Sequence, residues 1–84
     1  MSFQVKFSKK ATKYIRDLDK NIFNRIKKKF NELLENPFRY LEHYEKEDFY
    51  KLRIGDYRAL IDVDFENKIL WVRVFDKRGR VYKR

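Results

Sequence analysis

The stretch "FYKLRIGDYRALIDVD" (49–64) gathers Lys51, Arg53 and Arg58 around a short turn. Alternation with period two puts Lys51 and Arg53 on one side of an extended strand, with Tyr50, Leu52 and Ile54 on the other. Gly55-Asp56 is a two-residue hairpin signal, because glycine supplies the positive φ that such tight turns demand. If Ile54 pairs with Tyr57, Arg53 is expected diagonally opposite Arg58, on the same side of the sheet. Like charges gathered this way repel, and folding alone gives no reason to collect them. A phosphate resolves the conflict by accepting bidentate hydrogen bonds from guanidinium groups. Asp62 and Asp64 on the returning strand are the alternative, neutralising the cluster from within. The later stretch "DKRGRVYKR" (76–84) adds Arg78, Arg80, Tyr82, Lys83 and Arg84. It reads as a basic tail, a phosphate-gripping patch or part of an active site.

Other chemistry is scarce. There is no cysteine, so thiol nucleophiles, thiolate metal sites and disulfides are excluded. His43 is the single histidine, has no motif partner and reads as a surface residue. No Gly-rich phosphate loop and no metal-ligand spacing occurs. The acidic residues at 42, 45, 47 and 48 read as a solvated loop. An enzyme built from this chain therefore works with Lys, Arg and Tyr, and needs neither metal nor cofactor. RNA cleavage suits that set, since RNA carries its own nucleophile in the 2′-hydroxyl. The protein has only to orient it and neutralise charge growing on the phosphorane. Arginine stays protonated and cannot be the base; a lysine among other cations can serve, and a tyrosine can stack on a base or donate a proton.

Eighty-four residues make one domain, 1–84, with a modest core. The chain is 43% hydrophobic and 18% aromatic, which a disordered chain of this charge would not be. Its net charge of +9 favours polyanionic partners, above all nucleic acid or an acidic protein. No apolar stretch is long enough to span a bilayer and "MSFQVKFSKK" lacks a signal-peptide core, so a cytoplasmic protein without membrane contact is expected.

The elements that must hold these residues follow from periodicity. "FQVKF" (3–7) alternates as a short strand. Ser8 caps a helix carrying Ala11, Tyr14, Ile15 and Leu18, and Asp19 or Asn21 caps a second, running to about Asn36 before Pro37. The second helix has a stripe of Ile22, Phe23, Ile26, Phe30, Leu33 and Leu34. Opposite it, Arg25, Lys27, Lys28 and Lys29 form a cationic face, most simply a solvated one, on which Lys27 and Lys28 are candidate contacts to RNA or ribosome. Residues 37–48 read as an irregular connection. Strands follow at 49–54, 57–65 and 68–76, with a tight turn at Glu66-Asn67 and a final short strand after "KRG". The expected fold is α+β, β-α-α-β-β-β(-β), with two N-terminal helices packed on one face of an antiparallel sheet.

The order of "YKLRIGDYRALIDVD", "ILWVRVFDKRGRVY", "SKKATKYIRDLD" and "LLENP" resembles the RelE/ParE toxin superfamily, most of all archaeal RelE, over nearly the whole chain. The resemblance implies a microbial-ribonuclease-like fold. It also implies an mRNA interferase that cuts message in the ribosomal A site without metal, leaving a 2′,3′-cyclic phosphate. A RelB-type antitoxin would wrap and silence it, and operator DNA would be met only through that complex. By resemblance Lys51 and Arg53 occupy the basic strand positions, with Lys51 as base, and Arg58 binds the scissile phosphate. Arg78 stabilises transition-state charge, and Tyr82 stacks on a base or transfers a proton. Arg80, Lys83 and Arg84 have no firm counterpart in the family and are expected to grip ribosomal or messenger phosphates. Lys77 stands where many relatives carry histidine. ParE relatives share the fold and inhibit DNA gyrase, which is the alternative function; a non-catalytic nucleic-acid-binding domain is the other.

Overall fold

The computed structural model describes residues 3–44 and 49–77. Chain order is β1 (Gln4–Phe7), α1 (Lys9–Arg16), α2 (Lys20–Glu35), a 3-10 turn (Pro37–Arg39), β2 (Glu42–Tyr44), β3 (Phe49–Ile54), β4 (Tyr57–Asp64) and β5 (Ile69–Lys77). The strands form one sheet in the order β1-β5-β4-β3-β2. Both helices lie against one of its faces, as expected. No helix among the described residues is long and apolar enough to cross a membrane.

Three features differ from the sequence expectation. The sheet is mixed, because β1 runs parallel to β5 while every other pair is antiparallel. Parallel neighbours need a crossover, and α1 and α2 supply its helices. Residues 42–44, expected to be irregular, form the edge strand β2 on β3. The β4–β5 connection is a four-residue loop, 65–68, in place of a two-residue turn. Its shape comes from Asp64, whose carboxylate accepts from the Asn67 side-chain amide at 2.9 Å and the Asn67 backbone N–H at 3.0 Å. Those bonds, the side-chain one first, hold the Asp64 carboxyl below the usual carboxylate range. Lys68 closes the loop at φ 59°. The final short strand expected at 80–83 lies outside the described residues.

The helix starts follow local chemistry. Ser8 Oγ accepts from Ala11 N–H at 3.1 Å, and Asp19 Oδ1 accepts from Asn21 N–H at 2.8 Å. Ser8 also ties the helical layer to the sheet, donating from Oγ to the Arg73 carbonyl at 2.8 Å. Apolar faces meet between the layers. Ala11, Ile15, Ile26, Phe30 and Leu33 from the helices are buried against Leu52, Ile54, Ala59, Ile61, Leu70, Val72 and Phe75 from the strands. Each fully buried Leu or Ile contributes about 1.5–3 kcal/mol relative to exposure. The register slips between Leu60 and Ile61, which pair with Val74 and Val72 respectively. This bulge at Arg73 re-phases β5, so Phe75 reaches the core where strict alternation would have sent Val74.

Gly55 opens the β3–β4 turn at φ 57°, and a Cβ there would lie 3.2 Å from Arg25 Nη2. The flexible end of Arg25 can yield, so backbone strain dominates, at about 1–2 kcal/mol for a left-handed L-residue. Gly55→Ala is therefore expected to lower the melting temperature by roughly 4–8 °C or more. A calorimetric scan showing no change would contradict this account of the turn.

Candidate anion-binding site

The face of the sheet turned away from the helices is organised by cross-strand register. Arg53, Arg58 and Asp76 form one row across β3, β4 and β5. Glu42, Lys51, Leu60 and Val74 form the next, from β2 to β5. Lys51, Arg53 and Arg58 thus share one face, as their spacing predicts. Arg53 stands directly opposite Arg58, not diagonally, because Ile54 and Tyr57 are the pair that flanks the turn.

The three cations have different surroundings. Arg53 is exposed. Lys51 has a counter-ion: its Nζ lies 3.7 Å from Glu42 Oε2. Arg58 is only 5% exposed. From Nη1 it donates to the Gly55 carbonyl at 2.8 Å and the Tyr57 carbonyl at 2.7 Å. One half of its guanidinium thus braces the hairpin. The acidic groups proposed to neutralise the cluster are committed elsewhere, Asp62 to Arg73 and Asp64 to Asn67. Among the described residues, the carboxylates that adjoin the cluster are Glu42 and Asp76 instead. Sequence reasoning missed Glu42 because it missed β2, three residues too short to carry an alternating pattern of their own.

α2 divides its cations between two places. Lys28 joins Arg25, Lys29, Glu32, Arg53, Ile54 and Gly55 around a recess of about 370 Å³, bringing α2 to the edge of the Arg53 row. Lys29 also lies over the Tyr40 ring, with Nζ 4.2 Å from its centroid. Lys27 instead rims an apolar groove of about 440 Å³ bounded by β1, α1 and α2, where Phe23 is exposed. His43 is registered with Tyr50, on the opposite face from Lys51, with ring centroids 5.0 Å apart. Arg78, Arg80, Tyr82, Lys83 and Arg84 lie outside the described residues.

Two helices on one face of a five-stranded mixed sheet, with arginine and lysine ranked on the other, define a RelE-like toxin fold. A chain of the intact E. coli RelBE toxin–antitoxin complex is 30% identical with a TM-score of 0.72, covering 93% of this chain and 99% of that one. The archaeal RelE–RelB complex from Pyrococcus horikoshii gives 25% identity and a TM-score of 0.77, over 95% and 99% of the two chains. The RelBE2 complex of Mycobacterium tuberculosis shares the fold at TM-score 0.80 and 23% identity, over 93% and 100%. The chain belongs to the family of ParE toxins of type II toxin–antitoxin systems, whose profile matches residues 5–82. Among curated proteins none matches the sequence.

An exposed pair such as Lys51–Glu42 contributes less than about 1 kcal/mol. Glu42→Gln should leave the melting temperature within about 4 °C while tightening binding of inorganic phosphate, read by titration at fixed salt. Unchanged or weaker phosphate binding would show that Glu42 does not compete for Lys51.

Proposed function

We propose that this chain acts as a ribosome-dependent endoribonuclease, held silent by a RelB-type antitoxin. The observation that carries the reading is the basic row itself: two arginines are directly opposed on a sheet face, with a lysine in the adjoining row. Such a cluster is costly to fold and well suited to a phosphodiester. In the reaction, the 2′-hydroxyl attacks its neighbouring phosphorus while Lys51 takes the hydroxyl proton. The P–O5′ bond breaks, the 5′-oxygen receives a proton from Tyr82, and a 2′,3′-cyclic phosphate remains. Arg53, Arg58 and Arg78 stabilise the charge on the phosphorane. Message competes with Glu42 for Lys51. Lys28, beside the Arg53 row, and Lys27, Arg80, Lys83 and Arg84 contact ribosomal or messenger phosphates. No metal or cofactor enters this scheme, and operator DNA is met only through the antitoxin complex. The work is done in the cytoplasm, where the ribosomes are.

Adding the protein to a translating extract tests this. Cleavage within codons of ribosome-bound message is expected. Arg78→Ala and Tyr82→Phe should each reduce it by about 10²-fold or more with an unchanged melting temperature; full activity in both would overturn these site roles. The ParE family match favours a second reading, gyrase inhibition. Intact message together with blocked supercoiling would establish it. If only salt-sensitive binding remains, the chain is a non-catalytic nucleic-acid-binding domain.

The apolar groove suits an amphipathic helix of the antitoxin. Phe23, Ile15, Ile26, Phe30 and Leu34 line it, and Arg16 and Lys27 on the rim complement acidic side chains. Phe23 is 39% exposed, so Phe23→Asp should spare the fold and weaken antitoxin binding by at least about tenfold. Calorimetric titration giving wild-type affinity would exclude this groove as the docking surface.

A further inference from the structure

The open face carries a second constellation that the nuclease chemistry does not use. Lys6 of β1, Trp71 of β5 and Asp62 of β4 form a cross-strand row. Lys6 Nζ stands 5.5 Å from the Trp71 ring centroid, and the Arg73 guanidinium carbon 5.1 Å from it. Asp62 Oδ2 accepts from Arg73 Nε at 2.7 Å, with that guanidinium lying over the indole. Lys6 is exposed and, among the described residues, is in no salt bridge. The helices pack on the other face, so the core has no need of an indole at this position.

We propose that Trp71 is a base-stacking position for single-stranded RNA, with Lys6 and Arg73 contacting the flanking phosphates. Every base offers a π-face to an aromatic ring, and the long Lys6 and Arg73 side chains that lie over the indole in the free protein turn to the flanking phosphates when a base takes their place. Trp71 is registered with Asp62, four residues along β4 from Arg58. At about 3.3 Å per residue the two positions are roughly 13 Å apart on one face, a span that a short single strand bridges. Charge favours this occupant, since the chain carries +9 and both cations against the indole face the same open side. The inference rests on the nuclease reading only in taking RNA as the ligand.

Trp71 is the single tryptophan of the chain, so its emission reports on this position alone. The test titrates the protein with a short single-stranded RNA whose 2′-hydroxyls are methylated against cleavage. It follows both tryptophan emission and the anisotropy of labelled RNA. Saturable quenching is expected, with much less from a duplex of the same sequence. Trp71→Ala should weaken binding about tenfold, whereas Trp71→Phe keeps the stacking ring and stays within about threefold of wild type. Lys6→Ala should reduce the salt slope by about 0.7. Unaltered emission on binding, equal affinity in Trp71→Ala, equal quenching by duplex, or no RNA binding each overturns the proposal. Emission that responds to an acidic antitoxin and not to RNA overturns it too, marking a protein-docking face. Message cleavage by wild type in a translating extract is scored separately. Cleavage with unmoved emission removes the stacking position alone; Trp71-dependent binding without cleavage removes the nuclease reading alone.

Discussion

The parallel pairing of β1 with β5 is the constraint from which the rest of the architecture follows. Strands side by side in the same direction cannot be joined by a tight turn, so the chain must leave the sheet and cross it. α1 and α2 are part of that excursion, and their apolar stripes bury against one face only. The other face is thereby released from packing duty along much of its length. Ser8 secures the arrangement, because a single hydroxyl caps α1 and bonds the carbonyl of Arg73, 65 residues away. Helix start, parallel pair and bulge meet at that one side chain.

The bulge at Arg73 has effects on both sides of the sheet. Toward the core it turns Phe75 inward, where it packs with Tyr57 at a centroid separation of 5.7 Å and with Tyr14 at 6.0 Å. On the opposite face it leaves Arg73 over Trp71 and sets Asp76 in register with Arg58, both of them buried. A strictly alternating β5 would have sent Phe75 to the basic face and Asp76 to the core, with the aromatic cluster lost and Arg58 facing a ring.

Much of this was legible in the sequence, and the reasons are local. Ser8 and Asp19 announce the helices because capping is decided within a few residues. The shared face of Lys51, Arg53 and Arg58 follows from a period of two and a glycine turn. What was not legible depends on partners distant in the chain. Strand direction in the β1–β5 pair leaves no mark on either strand's composition. β2 is three residues long and exists through its pairing with β3, so Glu42 could not be foreseen as the neighbour of Lys51. Burial of Arg58 was equally invisible, since nothing about an arginine after a hairpin says that its Nη1 will brace carbonyls. The β4–β5 loop shows the same limit on a smaller scale: Asp64 and Asn67 suit a turn, but their mutual hydrogen bonds set its length.

The exposed cations of the open face, Arg53, Lys6 and Arg73 among them, give the molecule a divided response to ionic strength. Salt screens repulsion between like charges at the surface, with a Debye length of about 10 Å at 0.1 M. A fold that ranks cations on one face and carries +9 overall is relieved as salt rises. Polyanion binding moves the other way, because it draws on counterion release, which concentrated salt suppresses. The fold is thus most comfortable at the ionic strength that least favours a polyanion on its open face. At low salt, a bound polyanion does for the open face what the screening ions would otherwise have done.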